Sequence, residues 1–305
     1  MKIQSTSTHS AKQLKILVYG APGVGKTTLA STINEPVLLI SAEAGLLSLA
    51  DHNIDVIDIT TDDDGKPIPK ERRLARLGEV IRYVQSEEAM KKYQWLFIDS
   101  LTEISQNLIE NLQLVYPDAK DGLKLWGDYA KKSRSLVKSF RDLPHYNVVF
   151  TALETEEKDD NGRRYIRVDM QGKIGKQLPA FFDLVFRMHL VEDVKGKPVR
   201  VMTTQTRENV VAKDRSGKLE DKIEPNLGAV ANTIRGKTNE VKTNAVRTGV
   251  SPVQKSTSKV TERRSPNGDT TGKPTNNVLP KPNLGTTIPA PKTVDVTNSP
   301  LNQKP

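Results

Sequence analysis

Gly20-Ala21-Pro22-Gly23-Val24-Gly25-Lys26-Thr27 fills every fixed position of the phosphate-loop pattern G-x-x-x-x-G-K-[ST]. The apolar run Lys15-Ile16-Leu17-Val18-Tyr19 precedes it and reads as a buried strand. The helix-compatible segment Thr28-Leu29-Ala30-Ser31-Thr32-Ile33 follows it. Strand, glycine-rich turn and helix start is the setting in which this pattern carries a mechanism. Glycines let consecutive backbone N–H groups curl around an anion, and a helix start adds partial positive charge. Gly20, Ala21, Pro22, Gly23, Val24, Gly25, Lys26, Thr27 and Thr28 therefore form the candidate cradle for a nucleoside triphosphate. Lys26 is placed to reach the β- and γ-phosphates, and the Thr27 hydroxyl to ligate Mg²⁺.

Working outward, the next apolar run is Pro36-Val37-Leu38-Leu39-Ile40-Ser41, which suits a central parallel strand. Glu43 follows at its carboxyl end, the edge where open α/β sheets bind ligands. A carboxylate there can deprotonate an attacking water or simply occupy a helix start, and position alone leaves both readings open. Trp95-Leu96-Phe97-Ile98-Asp99 is the second anchor, four apolar residues delivering an Asp, as in the Walker B pattern. Asp99 is the candidate partner of Thr27 on Mg²⁺, directly or through water.

Between these anchors, Asn53–Thr60 alternates as a strand does, and Asp62-Asp63-Asp64-Gly65 reads as a solvated acidic turn. Leu74, Leu77, Val80, Ile81 and Val84 set one apolar stripe, which predicts a single amphipathic helix over Glu71–Tyr93. Helices are expected over 101–115 and 121–143. Tyr146–Thr151 is a further central strand. Asp160-Asn161-Gly162 then predicts a hairpin turn into the alternating Arg163–Val168. Lys158, Arg163, Arg164, Tyr165, Arg167, Lys173 and Lys176 combine cations with an aromatic ring there. Such a set suits single-stranded nucleic acid, the reading favoured here over an exposed hairpin with ordinary edge charges. Phe181–Met188 and Val199–Thr203 predict a closing hairpin. Lys213 and Arg215, two apart on an extended chain, point the same way.

Charge is unevenly distributed. The chain carries 46 Lys and Arg against 37 Asp and Glu, a net of +9. Residues 231–305 hold twelve of those cations and four of the acids, so eight of the nine net charges lie there. That stretch lacks Phe, Tyr and Trp and cannot bury enough apolar surface to offset chain entropy; disorder is expected. The chain divides accordingly into a flexible start (1–11), a folded body (12–230) and a disordered basic tail (231–305). The chain has no cysteine, which excludes disulfides and thiolate chemistry. His9, His52, His145 and His189 are scattered. No run approaches the length of a membrane span, and the polar start lacks the apolar core of a secretory signal, so a cytoplasmic protein with no membrane partner is expected.

The order of phosphate loop, Ser41-Ala42-Glu43-Ala44, Leu96-Phe97-Ile98-Asp99-Ser100 and Val148-Val149-Phe150-Thr151 resembles the RecA-type ATPase core. Together with Gly172–Pro179 and Ala212-Lys213-Asp214-Arg215-Ser216-Gly217, it is similar to the phage AAA-family, RecA-like ATPases of single-strand annealing recombination. The resemblance spans roughly residues 12–230. It implies an α/β fold with a mostly parallel central sheet flanked by helices, a C-terminal β-hairpin extension, and host cytoplasm as the location. It further implies that ATP and Mg²⁺ are the cofactors, that Glu43 is the catalytic base, and that residues 155–176 face DNA. By the same resemblance Lys213 and Arg215 act as a K-x-R finger on the neighbouring subunit's γ-phosphate. The implied protein is a DNA-stimulated ATPase that binds single-stranded DNA as a homo-oligomer, with a single-strand-binding protein as a further partner. A ring translocase or helicase, and a nucleotide-gated loader with little turnover, are the alternatives. One departure stands out: recombinases carry a Gln at the end of the sensor strand, where this chain has only Thr151 and Glu154 to offer.

Overall fold

The computed structural model describes residues 13–43, 45–118, 122–158, 162–207 and 209–236. The expected flexible start, the Asp160-Asn161 turn and everything after residue 236 lie outside them. Five strands form the parallel heart of the sheet: β1 (Lys15–Gly20), β2 (Val37–Ser41), β4 (Trp95–Asp99), β5 (Asn147–Lys158) and β7 (Leu184–Glu192). β3 (Asp55–Asp58) adds a parallel edge beside β2. On the other side β8 (Pro198–Thr203) turns back antiparallel to β7, followed by the two-residue β10 (Lys222–Ile223). The order across the described sheet is β10-β8-β7-β1-β5-β4-β2-β3. Two strands leave this path. β6 (Arg164–Val168) pairs antiparallel with the far half of β5, and β9 (Lys213–Asp214) with the start of β7.

The inner strands read as unbroken apolar runs because both faces are covered. One face presents Leu17, Tyr19, Leu38, Ile40, Leu96, Ile98, Val148 and Phe150. It packs against α1 (Lys70–Tyr83), α3 (Leu101–Val115) and α4 (Gly122–Arg141). The opposite face presents Ile16, Val18, Val37, Leu39, Trp95, Phe97 and Val149. It meets Leu29, Ala30 and Ile33 from the segment after the phosphate loop, and Leu227, Val230 and Ala231 from α6 (Leu227–Arg235).

Several expectations are corrected. The single helix over Glu71–Tyr93 is two, because Ser86 leaves the helical path and caps α2 (Glu87–Lys92) by accepting a hydrogen bond from Ala89 N. The segment after the phosphate loop is a 3-10 helix, Thr27–Thr32, whose hydroxyls on Thr28, Ser31 and Thr32 each donate to a backbone carbonyl three residues earlier. Such local bonds compete with α-helical geometry. The folded body does not stop at residue 230. Asn226 caps α6, and Arg235 at its far end reaches Glu35 and Asn147. The closing hairpin is present as β7 and β8, and Asp193 closes its turn by accepting from Lys195 N and Lys197 N. A short α5 (Ile174–Gln177) completes the description.

Candidate nucleotide site

Parallel pairing brings the carboxyl ends of β1, β2, β4 and β5 to one edge of the sheet, and the site is assembled there. Register sets Ser41 beside Asp99, and Gly20 beside Leu153. Gly23 and Gly25 hold φ of 73° and 101° in the loop between β1 and the 3-10 helix, the left-handed region that side chains resist. Thr27, at the helix start, donates from Oγ1 to Asp99 Oδ2 at 2.6 Å, although 72 residues separate them. The other Asp99 oxygen accepts the Thr151 hydroxyl. A buried carboxylate with two hydroxyl donors is satisfied without a charged partner in direct contact.

Lys26 is buried, and its amine donates to Gly20 O (3.0 Å) and Ala21 O (2.9 Å). Burial pulls its pKa below the ordinary lysine value, against the opposing pull of Asp99, Glu43 and Glu154. An ammonium that has lost water and holds only carbonyl oxygens gains most from an anion. The residues present fit a Mg²⁺-nucleotide in that respect. The amine can exchange two loop carbonyls for phosphate oxygens, and Thr27 with Asp99 offers the hard oxygen donors that Mg²⁺ takes alongside phosphate and water.

Glu43 is held from two sides. The Ser41 hydroxyl donates to the Glu43 carbonyl at 2.5 Å, and Ser100 Oγ donates to Glu43 Oε1. Ala42 N donates to Asp99 O at 2.6 Å, tying the tips of β2 and β4 together. Ser100 also accepts from Glu103 N as the cap of α3. The sequence reading passed over Ser100. The signal was available, since a serine between a strand-ending Asp and an apolar helical run is a capping position.

Thr151 and Glu154, the two polar residues toward the tip of the sheet on β5, enter separate arrangements. Thr151 sits on Asp99. Glu154 instead forms a bidentate pair with Arg187, at 2.8 and 3.2 Å, with both side chains under 20% exposed. Arg187 is a second residue that sequence reasoning missed, because nothing in the chain links positions 154 and 187 before β5 and β7 both flank β1.

The remaining expected residues lie elsewhere. Lys213 and Arg215 do point the same way, but onto the turn before β7. The Lys213 amine donates to Pro179 O and Phe182 O, and Arg215 pairs with Asp183 at 2.7 Å. Burial, with Arg215 nearby, lowers the Lys213 pKa. β9 pairs with Leu184 and Val185, whereas Gly20 pairs with Met188, so the two cations sit toward the opposite edge from their own phosphate loop. In the β5–β6 hairpin, Lys158 is exposed and Arg164 pairs with Glu156 at the surface. Tyr165 faces Glu157 in register, and Arg163, Lys173 and Lys176 are exposed. Arg167 differs from the other cations of this set: it is only 9% exposed and paired with Glu157, with Nε and Nη1 buried, so its guanidinium is not presented at the surface. Register sets it opposite Thr155, on the same face of the hairpin as Glu157 and on the face opposite the core residue Val168.

A mostly parallel sheet with helices on both faces, and a phosphate loop whose threonine meets the strand-ending aspartate, is the architecture of a P-loop ATPase. The chain belongs to the AAA domain family AAA_24, whose model matches residues 12–216. No functionally curated protein matches it. Among solved structures it is similar to a KaiC-like protein from the hyperthermophilic archaeon Pyrococcus horikoshii, with 13% identity and a TM-score of 0.35 over 70% of this chain and 87% of that one. It is also similar to an ATPase from the type III secretion system of pathogenic bacteria, with 16% identity and a TM-score of 0.40 over 58% of this chain and 51% of that one. No helix among the described residues is long and apolar enough to cross a membrane.

Proposed function

We propose that this chain hydrolyses ATP with Mg²⁺ and uses the cycle to control single-stranded DNA as a homo-oligomer in annealing or strand pairing. The observation that carries the ATPase reading is the contact of Thr27 with Asp99, with Glu43 braced by Ser100 at the neighbouring strand tip. In this reading Thr27 and Asp99 position Mg²⁺, and Lys26 leaves the Gly20 and Ala21 carbonyls for the phosphates. Glu43 takes the proton of a water attacking the γ-phosphate in line, the kind of step worth about 10²–10⁴ in rate.

The DNA reading is supported by continuity of the backbone. β5 runs without a break from Thr151, on Asp99, through Glu154 to Lys158 in the hairpin. A shift at the phosphate end therefore has a rigid path to Lys158, Arg163, Arg164 and Tyr165, with Lys173 and Lys176 following β6. Cations beside an aromatic ring suit phosphate contact with base stacking. Lys213 and Arg215 are proposed to act on the neighbouring subunit's nucleotide, after leaving the carbonyls and carboxylate they hold.

Those intramolecular bonds also favour a second reading, a nucleotide-gated loader with little turnover, in which the pair only braces the Pro179–Asp183 turn. Steady-state ATP hydrolysis with and without single-stranded DNA, on wild type and on Lys213→Ala/Arg215→Ala, separates the two. The oligomeric ATPase predicts DNA stimulation and a fall on the order of 10³ in the double variant. Hydrolysis indifferent to both DNA and the substitutions sinks it in favour of the loader.

A further inference from the structure

β7 extends four residues past its pairing with the end of β1. Met188 lies beside Gly20, and the strand continues to Glu192 before β8 returns. Met188 and Met202 pair across the hairpin and are both buried on the face that carries the phosphate-loop helix. Side chains alternate along a strand, so Arg200, two residues before Met202, is on that same face. It stands opposite Leu190, beyond the carboxyl edge of β1. Its Nε lies 3.3 Å from the point where a Cβ on Gly25 would sit, and Thr28 Oγ1 lies 3.1 Å from that point. Arg200 is exposed, and no hydrogen bond or ion pair holds its guanidinium among the described residues. The neighbouring cations differ in this respect, Arg187 being committed to Glu154 and Lys26 to two carbonyls.

We infer that Arg200 binds the α- and β-phosphates of the nucleotide held by its own subunit's phosphate loop. The inference rests on the phosphate-loop reading above and adds a residue that no motif contains. Backbone N–H groups of a phosphate loop cradle the α- and β-phosphates, and Gly25 is the loop residue that Arg200 overhangs. A guanidinium offers a planar fork of donors matched to phosphate oxygens, and its reach from a β-hairpin leaves the loop backbone undisturbed. The contact is made in cis. It operates in the monomer, unlike a finger that requires a neighbour.

The test is calorimetric binding of Mg-ATP and Mg-ADP to wild type, Arg200→Ala and Arg200→Lys, at a dilution where the protein is monomeric. Loss of a charged hydrogen bond predicts about tenfold or greater weakening of both nucleotides in Arg200→Ala, with partial recovery in Arg200→Lys. Because Arg200 is exposed, an unchanged melting temperature is expected and serves as the folding control. Equal affinity in wild type and Arg200→Ala overturns the inference. Weakening of ATP alone also overturns it, since the contact would then be to the γ-phosphate. Wild type that binds neither nucleotide refutes the phosphate-loop reading itself, a result distinct from either of these.

Discussion

Glu43 leaves β2 between two serines: Ser41 holds its carbonyl and Ser100 its carboxylate. The first bond fixes the backbone turn at the strand tip, and the second aims the side chain toward the Asp99 end of β4. Ser100 is therefore a positioning residue for the proposed base, as well as the cap of α3. Ser100→Ala is expected to cost about 1 kcal/mol of stability as a lost cap, and to lower kcat about tenfold with little change in KM for ATP. Glu43→Gln is expected to lower kcat by about 10²–10⁴. Combining them supplies the discriminating measurement, because a serine that acts only through Glu43 adds nothing further to the Glu43→Gln loss in kcat. If the two losses multiply, Ser100 has a separate role. At this scale the sequence was informative about identity and poor about partnership. Lys26, Thr27 and Asp99 stand in patterns whose spacing reflects their chemistry. The contacts of Ser100 with Glu43, Thr151 with Asp99 and Arg187 with Glu154 belong to no spacing, because they cross from one strand end to another.

The 3-10 helix after the phosphate loop is short and internally bonded, and α6 clamps it from outside. Leu227 N donates to Thr32 Oγ1 at 2.9 Å, and Arg235 reaches Glu35 on the following turn. The approach is close at Gly228, where an added Cβ would meet the Thr32 carbonyl oxygen at 2.6 Å. Gly228→Ala pits a gain in helix propensity of about 1 kcal/mol against a steric clash with backbone, and overpacking of this kind costs about 1–3 kcal/mol. We expect urea denaturation to show a net loss of stability, with nucleotide affinity reduced because the displaced segment carries Thr27. A more stable Gly228→Ala protein would show that α6 yields freely and does not clamp the loop. The sequence reading placed the end of the folded body at this element. Asn226 is a helix cap, and the aromatic-free composition that marks the tail begins before α6 does, since Phe186 is the last aromatic residue of the chain.

For the whole molecule, the consequence is a boundary that can be tested by truncation. Ending the chain after Gly236 keeps α6 and is expected to leave melting temperature and ATP hydrolysis unchanged. Ending it after Pro225 removes Leu227, Val230 and Ala231 from the core face and strips Arg235 from Glu35 and Asn147. That shorter protein is expected to melt far lower and to lose hydrolysis with its fold. Equal stability of the two would place the boundary before α6. What the sequence alone determined is the class of fold and the presence of a phosphate loop with a strand-ending aspartate across the sheet from it. Both follow from local rules: buried parallel strands must be apolar on both faces, and a loop that wraps phosphate needs glycine at fixed intervals. The tertiary structure alone decided how the cations are divided. Arg167 is paired with Glu157, Arg187 is taken by Glu154, Lys213 and Arg215 are held at the far edge, and Arg200 overhangs Gly25. An exposed arginine and a paired one look alike in a sequence, because an ion pair depends on distances that form only when separate strands are brought into register.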